Sequence, residues 1–537
     1  MASTTTVQIP QLGEVHGTYD ANTKTSQFLG IPYAKVSKRW TRATPIESFL
    51  EGKHDGTTFG PICPQLYKED SPSITQITVG GAGFPPNPVP TFDEFGCLNL
   101  NVLVPERSES EKLPVLIWIH GGAFSLGSNT ELVYDGKALV ESSIKSATPM
   151  IYVAINYRLG YFGFLSSEAL LKENGGKAVG NYGLWDQRLA LQFIKDNISA
   201  FGGDPERITI FGESAGSASV HSHLLSPEPL FQQAIMQSGT VRTIGPLKPQ
   251  DPYMANIYSS LATTLGFPAN SDPEALRALP ATALIGAMAQ LAGPTLPVSF
   301  ITDDTDYEDG FYPKDTDWAT PQPFCKRLII GDCQVEGIII AKNLGEIPEA
   351  DVEILLSDPD SLDPTYLAKF GLGDLVKGQT IPVPLVHRLV GLATELTFFG
   401  PTQEVIEKAD SATTYVYRLD RPNGWGPGPF AGVAHHTIDL LYLAGVPKKF
   451  PTSDADKDAK LSDAMVGQWV DFVVGKEPWR AAGKENWELV YGADGDVKET
   501  RRDEVTSRDF ANIGKAIGGN AGKALKINAA LSSGKVL

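Results

Sequence analysis

Between Arg207 and Leu225 the chain reads as a β-branched strand (Arg207–Phe211), a turn, Gly212-Glu213-Ser214-Ala215-Gly216, and an apolar helical run (Ala215–Leu225) closed by Ser226-Pro227. Together these specify a serine thrust out at the carboxyl end of a central strand, with flanking glycines because side chains there would collide. The pentapeptide alone recurs by chance, and a plain glycine-rich turn is its bland reading. Its setting between a strand and a helix is what marks Ser214 as a candidate nucleophile.

The helix after Ser214 aims its free N-terminal amides back at the serine, so the Ala215 N–H can meet a developing oxyanion. His120-Gly121-Gly122-Ala123-Phe124 follows the strand-like Val115–Ile119 and has the form of a loop that supplies the remaining donors, from Gly122 and Ala123. Taken alone, His-Gly-Gly would be an ordinary turn leaving a strand. Paired with the elbow it reads as an oxyanion loop, and since amides are what the arrangement uses, the His120 imidazole is expected to shape the loop.

Other runs fill in the architecture. Val7–Ile9, Glu14–Thr18 and Ser26–Pro32 carry alternating or β-branched patterns broken by Gly, as an antiparallel edge does. Leu98–Val104, Pro114–Ile119 and Met150–Asn156 are apolar runs bounded by Pro, Gly or Asn, the pattern of strands covered on both faces. Gly183–Phe201 has helical spacing and stops at Gly202-Gly203. Pro-broken helical patterns at 246–305 and 348–399, without linker composition around them, predict cap helices inserted into a single domain spanning 1–537. The stretch after Arg508 fits a terminal helix or a loose tail.

A serine nucleophile needs a histidine within hydrogen-bond reach and a carboxylate to hold its tautomer, in the chain order serine, acid, histidine. His16, His54 and His120 precede the serine. His221 and His223 lie on the elbow helix about 200° apart, which suits structural or solvent-facing roles. His387, His435 and His436 remain, the last two in the glycine-rich loop 424–436, a natural place for a catalytic histidine.

Composition excludes more than it selects. A net charge of −18 repels phosphate backbones and anionic membrane surfaces, which disfavours nucleic acid as a partner. The longest apolar stretches, such as Val115–Ile119 and Ile338–Ala341, fall far short of the roughly 18 residues of a membrane span. Cys63, Cys97, Cys325 and Cys333 show neither CxxC spacing nor an accompanying His cluster, so no metal or other cofactor is expected. About 26 Å of extended chain separates Cys325 from Cys333, which makes free thiols of that pair; a bridge between Cys63 and Cys97 stays open. Met1–Gly17 has neither a basic start nor a continuous apolar segment, which favours a cytoplasmic location, or secretion if a leader has been removed.

Collinear with the elbow are Gly30-Ile31-Pro32-Tyr33-Ala34, Asn156-Tyr157-Arg158-Leu159-Gly160, the run from Gly180 to Leu191, and Phe201-Gly202-Gly203-Asp204-Pro205. In these motifs, across roughly residues 26–445, the chain resembles the type B carboxylesterase/lipase family of carboxylesterases, cholinesterases and fungal lipases. The resemblance implies an α/β-hydrolase fold: a large central, mostly parallel twisted sheet with helices on both faces, a small N-terminal antiparallel edge and inserted cap helices. It implies a serine carboxylic-ester hydrolase working through an acyl-enzyme on small to medium apolar or aromatic esters. The alternatives are a lipase or sterol esterase, an acyltransferase with the same triad, and a silent binding relative; the last is weakest, because serine, acid and histidine candidates are all present.

The same resemblance selects His436 over His435, because the family's acid three residues on and glycine nine on fall at Asp439 and Gly445. It selects Glu336, five residues after Gly331 and just before Gly337, with Asp332 as competitor and a solvated loop carboxylate as the plain alternative for either. It suggests Ser238 as a hydrogen-bonding neighbour of acid or base, and makes 63–97, with Tyr67, Phe84, Phe92 and Phe95, a flap. Two departures stand out. Phe95-Gly96-Cys97-Leu98 lacks the family's acid next to the cysteine, which leaves its ion pair in question, and the flap has no tryptophan, which disfavours a choline ester.

Overall fold

Every residue of Leu113–Ile119 is buried, and its side chains alternate between two apolar clusters: Val115, Ile117 and Ile119 belong to one, Leu116 and Trp118 to the other. A period of two with both faces apolar is what a strand between two helical layers requires. Each such side chain contributes about 1.5–3 kcal/mol by leaving water, so these central strands anchor the rest.

The computed structural model describes residues 3–67, 86–107, 111–293, 298–341, 344, 347–357, 363–372, 385–410, 412–426 and 430–502. Its strands in chain order are β1 (Ser3–Ile9), β2 (Gly13–Asp20), β3 (Thr25–Pro32), β4 (Ala34–Lys35), β5 (Thr44–Pro45), β6 (Lys53–Asp55), β7 (Asn99–Pro105), β8 (Leu113–Ile119), β9 (Ile151–Ile155), β10 (Gly203–Glu213), β11 (Gln233–Gln237), β12 (Arg327–Cys333), β13 (Thr414–Leu419), β14 (Trp487–Tyr491) and β15 (Val497–Arg501). Thirteen of them form one sheet, ordered β1-β2-β3-β7-β9-β8-β10-β11-β12-β13-β14-β15 with β6 beside β2. From β9 to β14 every neighbouring pair is parallel, while β1, β2 and β3 make the antiparallel edge expected from the sequence, which β7, read there as a central strand, joins by pairing antiparallel to both β3 and β9.

Register then places the site. Ile119 pairs with Gly212, Glu213 with Gln237, and Gln237 with Gly331, so the carboxyl ends of β8, β10, β11 and β12 stand level. Everything singled out for chemistry leaves the sheet from that one edge, as in other open α/β sheets.

A third apolar cluster, separate from the two on the sheet, gathers Ile340, Leu355, Leu356, Leu367, Leu389, Leu392 and Phe399. All of these but Ile340 lie in the predicted second cap segment, and helices Pro252–Thr264, Pro273–Arg277 and Ala281–Ala292 occupy the first. The calls on 68–85 of the flap and on the tail after Arg508 lie outside the described residues. Among the described residues no helix is long and apolar enough to cross a membrane, and all four cysteines are free, Cys63 and Cys97 both buried.

One departure in sequence is repaired in space. The acid is present but stands three residues before the cysteine: Glu94 binds the Arg39 guanidinium with both oxygens, at 2.6 and 2.7 Å, in a buried pair.

Candidate active site

Ser214 sits at φ 59° and ψ −123°, a backbone conformation held only because strand and helix on either side leave the chain no other path. The elbow is tight enough to exclude side chains: a Cβ on Gly216 would stand 2.1 Å from the Ile119 carbonyl oxygen, and one on Gly212 would stand 2.4 Å from the Gly216 carbonyl. The helix Ala215–Leu225 that follows is buried along its whole length. Its first amides, Ala215 included, have no intrahelical acceptor and stand free to bind negative charge.

The His120 loop lies against this turn, since a Cβ on Gly121 would come within 3.2 Å of Ser214 Cβ. Gly122, Ala123 and Phe124 all have positive φ, at 109°, 54° and 54°. Their carbonyls accept from Ser125, Ser299 and Gly160 respectively, and among the described residues the Gly122 and Ala123 amides donate to no protein group. His120 is buried, stacked on Tyr157 at 4.5 Å and bonded through Nδ1 to the Gly121 carbonyl at 2.9 Å; burial pushes its pKa down to about 4. A neutral ring wedged there shapes the loop, as the sequence suggested.

His436 is brought in by an isolated bridge between Val335 and His435, which lays loop 434–436 beside the end of β12. Its Nδ1 meets Glu336 Oε2 at 2.5 Å, while the Cys333 N–H holds the other carboxylate oxygen at 2.5 Å. It is Glu336 rather than Asp332 that reaches the ring. His435 turns away, with Nδ1 on the His436 carbonyl and Nε2 toward Asn423. Its pKa is lowered to about 4 by burial, and His387 is exposed on a cap helix.

The other ring nitrogen has an unforeseen partner. His436 Nε2 lies 3.1 Å from Oε1 of Glu213, the acid inside the elbow, and both side chains are buried. Burial opposes a charge on His436, but Glu213 and Glu336 outweigh it and raise its pKa to about 9. Burial drives the Glu213 carboxyl well above the usual carboxylate range. Asp439, also raised by burial, accepts from Gln237 Nε2 and the Tyr417 hydroxyl at 2.8 and 2.9 Å.

The Ser238 expectation of a bond to acid or base finds no such contact. Its hydroxyl is buried without a partner among the described residues, and its backbone N–H is tied to the Gly331 carbonyl of β12. Of the structural or solvent-facing roles expected for His221 and His223, the structure shows the structural one: each is buried, His221 accepting from the Val241 N–H and His223 facing Gln187.

A model of the carboxylesterase family matches residues 3–512. The chain belongs to the carboxylesterase family. Lipase 3 of Yarrowia lipolytica is 30% identical over 95% of this chain and 98% of its own length. The para-nitrobenzyl esterase of Bacillus subtilis is 30% identical over 89% and 91% respectively. A solved PNB esterase structure superposes with a TM-score of 0.69 at 27% identity, covering 94% of this chain and 98% of that one. These findings make the protein a carboxylic ester hydrolase with the α/β-hydrolase fold, acting on small-molecule esters.

Within this carboxylesterase, Glu213 had no role assigned from the sequence, and Asp439 served there only as a landmark. The sole signal for Glu213 was an ionisable residue in the variable position of the elbow. The fold had to bring His436 to it before that acid acquired meaning.

Proposed function

We propose that Ser214 is the nucleophile, His436 its general base and acid, and Glu336 the carboxylate that fixes the imidazole, with the Gly122, Ala123 and Ala215 amides binding the oxyanion. The observation that carries this reading is the 2.5 Å contact from Glu336 to His436 Nδ1, which leaves Nε2 directed at the elbow, one residue from Ser214. Ser214 Oγ attacks the ester carbonyl carbon as its proton passes to Nε2; the carbonyl π pair moves to oxygen and is met by the amides. Collapse expels the alcohol, which takes the proton from His436, and water then repeats the sequence on the acyl-enzyme. Glu336 stays ionised opposite the imidazolium.

Glu213 sets a condition on this cycle. In the resting arrangement Nε2 faces its carboxyl, so the base becomes competent only when the Glu213–His436 pair has given up the proton on the ring.

The substrates we infer are small to medium apolar or aromatic esters. A second reading, a lipase, draws support from the exposed Tyr67, Val89, Phe92 and Phe95 on the flap and from the relative named Lipase 3. Hydrolysis of p-nitrophenyl esters from acetate to palmitate, by intact protein and Ser214→Ala, separates them. An optimum at short or medium chains that vanishes in the variant supports the esterase; an optimum at the longest chains supports the lipase; equal activity of the two proteins refutes the assignment of Ser214.

A further inference from the structure

The cap and the candidate triad meet at one irregular stretch of helix. Leu385–Ala393 is α-helical, Thr394–Phe399 is a π turn with all six residues buried, and α geometry resumes over Gly400–Lys408. The Gly400 N–H bonds the Glu395 carbonyl, five residues back, and Pro401 in the next position has no N–H to continue a regular ladder. Widenings of this kind occur often at working segments.

Side chains of the turn divide two ways at a spacing of four, which puts each pair on one face. Thr394 and Phe398 face the triad. The Thr394 hydroxyl accepts at 2.9 Å from the N–H of Gly337, the residue directly after Glu336, and donates at 2.8 Å to the Val390 carbonyl. The Phe398 ring lies 4.9 Å from that of His436. Glu395 and Phe399 face the cap: Glu395 takes Lys369 Nζ at 2.8 and 3.1 Å and the Tyr366 hydroxyl at 2.9 Å, and Phe399 packs in the cap cluster. Gly337 lies flush on the helix, for a Cβ there would stand 2.4 Å from the Val390 carbonyl oxygen and 3.0 Å from Thr394 N.

We propose that Thr394 is a positioning residue for the triad acid, and that through the π turn the packing of the cap helps set the geometry of Glu336 and His436. This rests on the roles given to those two residues above. The Gly337 amide is one bond from the Glu336 carbonyl, so its anchor on Thr394 fixes where the acid's backbone stands, and a triad contact is sensitive to displacements of an ångström. Glu395, adjacent to Thr394, ties the same turn to the cap helix Pro364–Lys369. The groups facing the His436 ring are Glu213 from the elbow, Glu336 from the acid turn, Asp439 from helix Ile438–Leu443 and neighbouring His435; of these, the proposal moves Glu336.

The experiment measures kcat, KM and the pH profile on p-nitrophenyl butyrate for full-length Thr394→Val, Thr394→Ser and Glu395→Gln, with Ser214→Ala alongside. Valine keeps the shape and removes the hydroxyl. Thr394→Val should lower kcat about tenfold with KM within about twofold, and move the acid limb of kcat/KM to lower pH by about half a unit, since the imidazolium loses part of its carboxylate support. Thr394→Ser should restore both, and Glu395→Gln should show the same signature at smaller size. A folded Thr394→Val protein with unchanged kcat and acid limb overturns the proposal, as does a loss that serine fails to restore. If Thr394→Val does not fold, an unchanged acid limb in Glu395→Gln overturns it instead. Activity surviving in Ser214→Ala would strike the triad reading itself, whatever the Thr394 variants do.

Discussion

One continuous run of chain builds the nucleophile side of the site: β10, the elbow, and a helix whose eleven residues are all buried. The base side is assembled from two loops 100 residues apart and held by hydrogen bonds and ion pairs among buried carboxyls. Sterics and apolar packing fix the first, and neither depends on pH. Charge fixes the second, so it titrates. The contrast separates substitutions that stop chemistry, those that weaken the fold and those that move the pH profile.

Glu336→Gln tests the charged half most severely. The imidazolium formed during attack would lose its counter-charge and its tautomer anchor, and kcat should fall by about 10³ to 10⁴ with little change in KM. A fall below tenfold in steady-state hydrolysis of p-nitrophenyl butyrate would detach Glu336 from the chemistry.

Outside both halves stands another buried pair, Arg158 after β9 with Asp186 on helix Tyr182–Asn197, both contacts at 2.7 Å. Asp186→Asn leaves that guanidinium buried without a counter-charge, at an expected cost of about 3–5 kcal/mol in urea unfolding, while the acid limb of kcat/KM stays in place. A displaced limb would mean that stability and the pH profile are not separable.

Glu213→Gln should do the reverse, moving the limb and largely sparing stability. Burial lowers the His436 pKa, but Glu213 and Glu336 raise it to about 9 overall. The base works only unprotonated, so activity in the parent protein climbs as pH passes that value. With the Glu213 charge gone one raising group is lost, and the limb should move to lower pH by about one unit. Movement to higher pH, or none, would contradict the charge account. The smallest effect belongs to exposed His387: His387→Ala should leave kcat/KM within about twofold, and a larger loss would reopen the choice of base.

What the sequence discloses follows the same division. β8, the elbow and its helix depend on neighbours in the chain, so alternation, glycines and helical spacing sufficed to place them. The choice between His435 and His436, or Asp332 and Glu336, needed a family pattern, because only β12 and loop 434–436 laid side by side decide which groups touch. Glu94 escaped notice as the partner of Arg39 because it stands two positions before the place next to Cys97 where the pattern seeks an acid. The π turn was invisible for a different reason: periodicity announces a helix but not a local widening, and Thr394 matters only through the amide of Gly337, 57 residues away.

The central claim, that Ser214 carries the acyl group, is tested most directly by covalent trapping. The full-length protein is treated with diethyl p-nitrophenyl phosphate, the released p-nitrophenol is counted, and the modified peptide is mapped by mass spectrometry. The account predicts a single diethylphosphoryl group per chain, located on Ser214, with esterase activity lost in proportion to labelling. A label on any other residue accompanying the loss, or full activity in fully labelled protein, would contradict it.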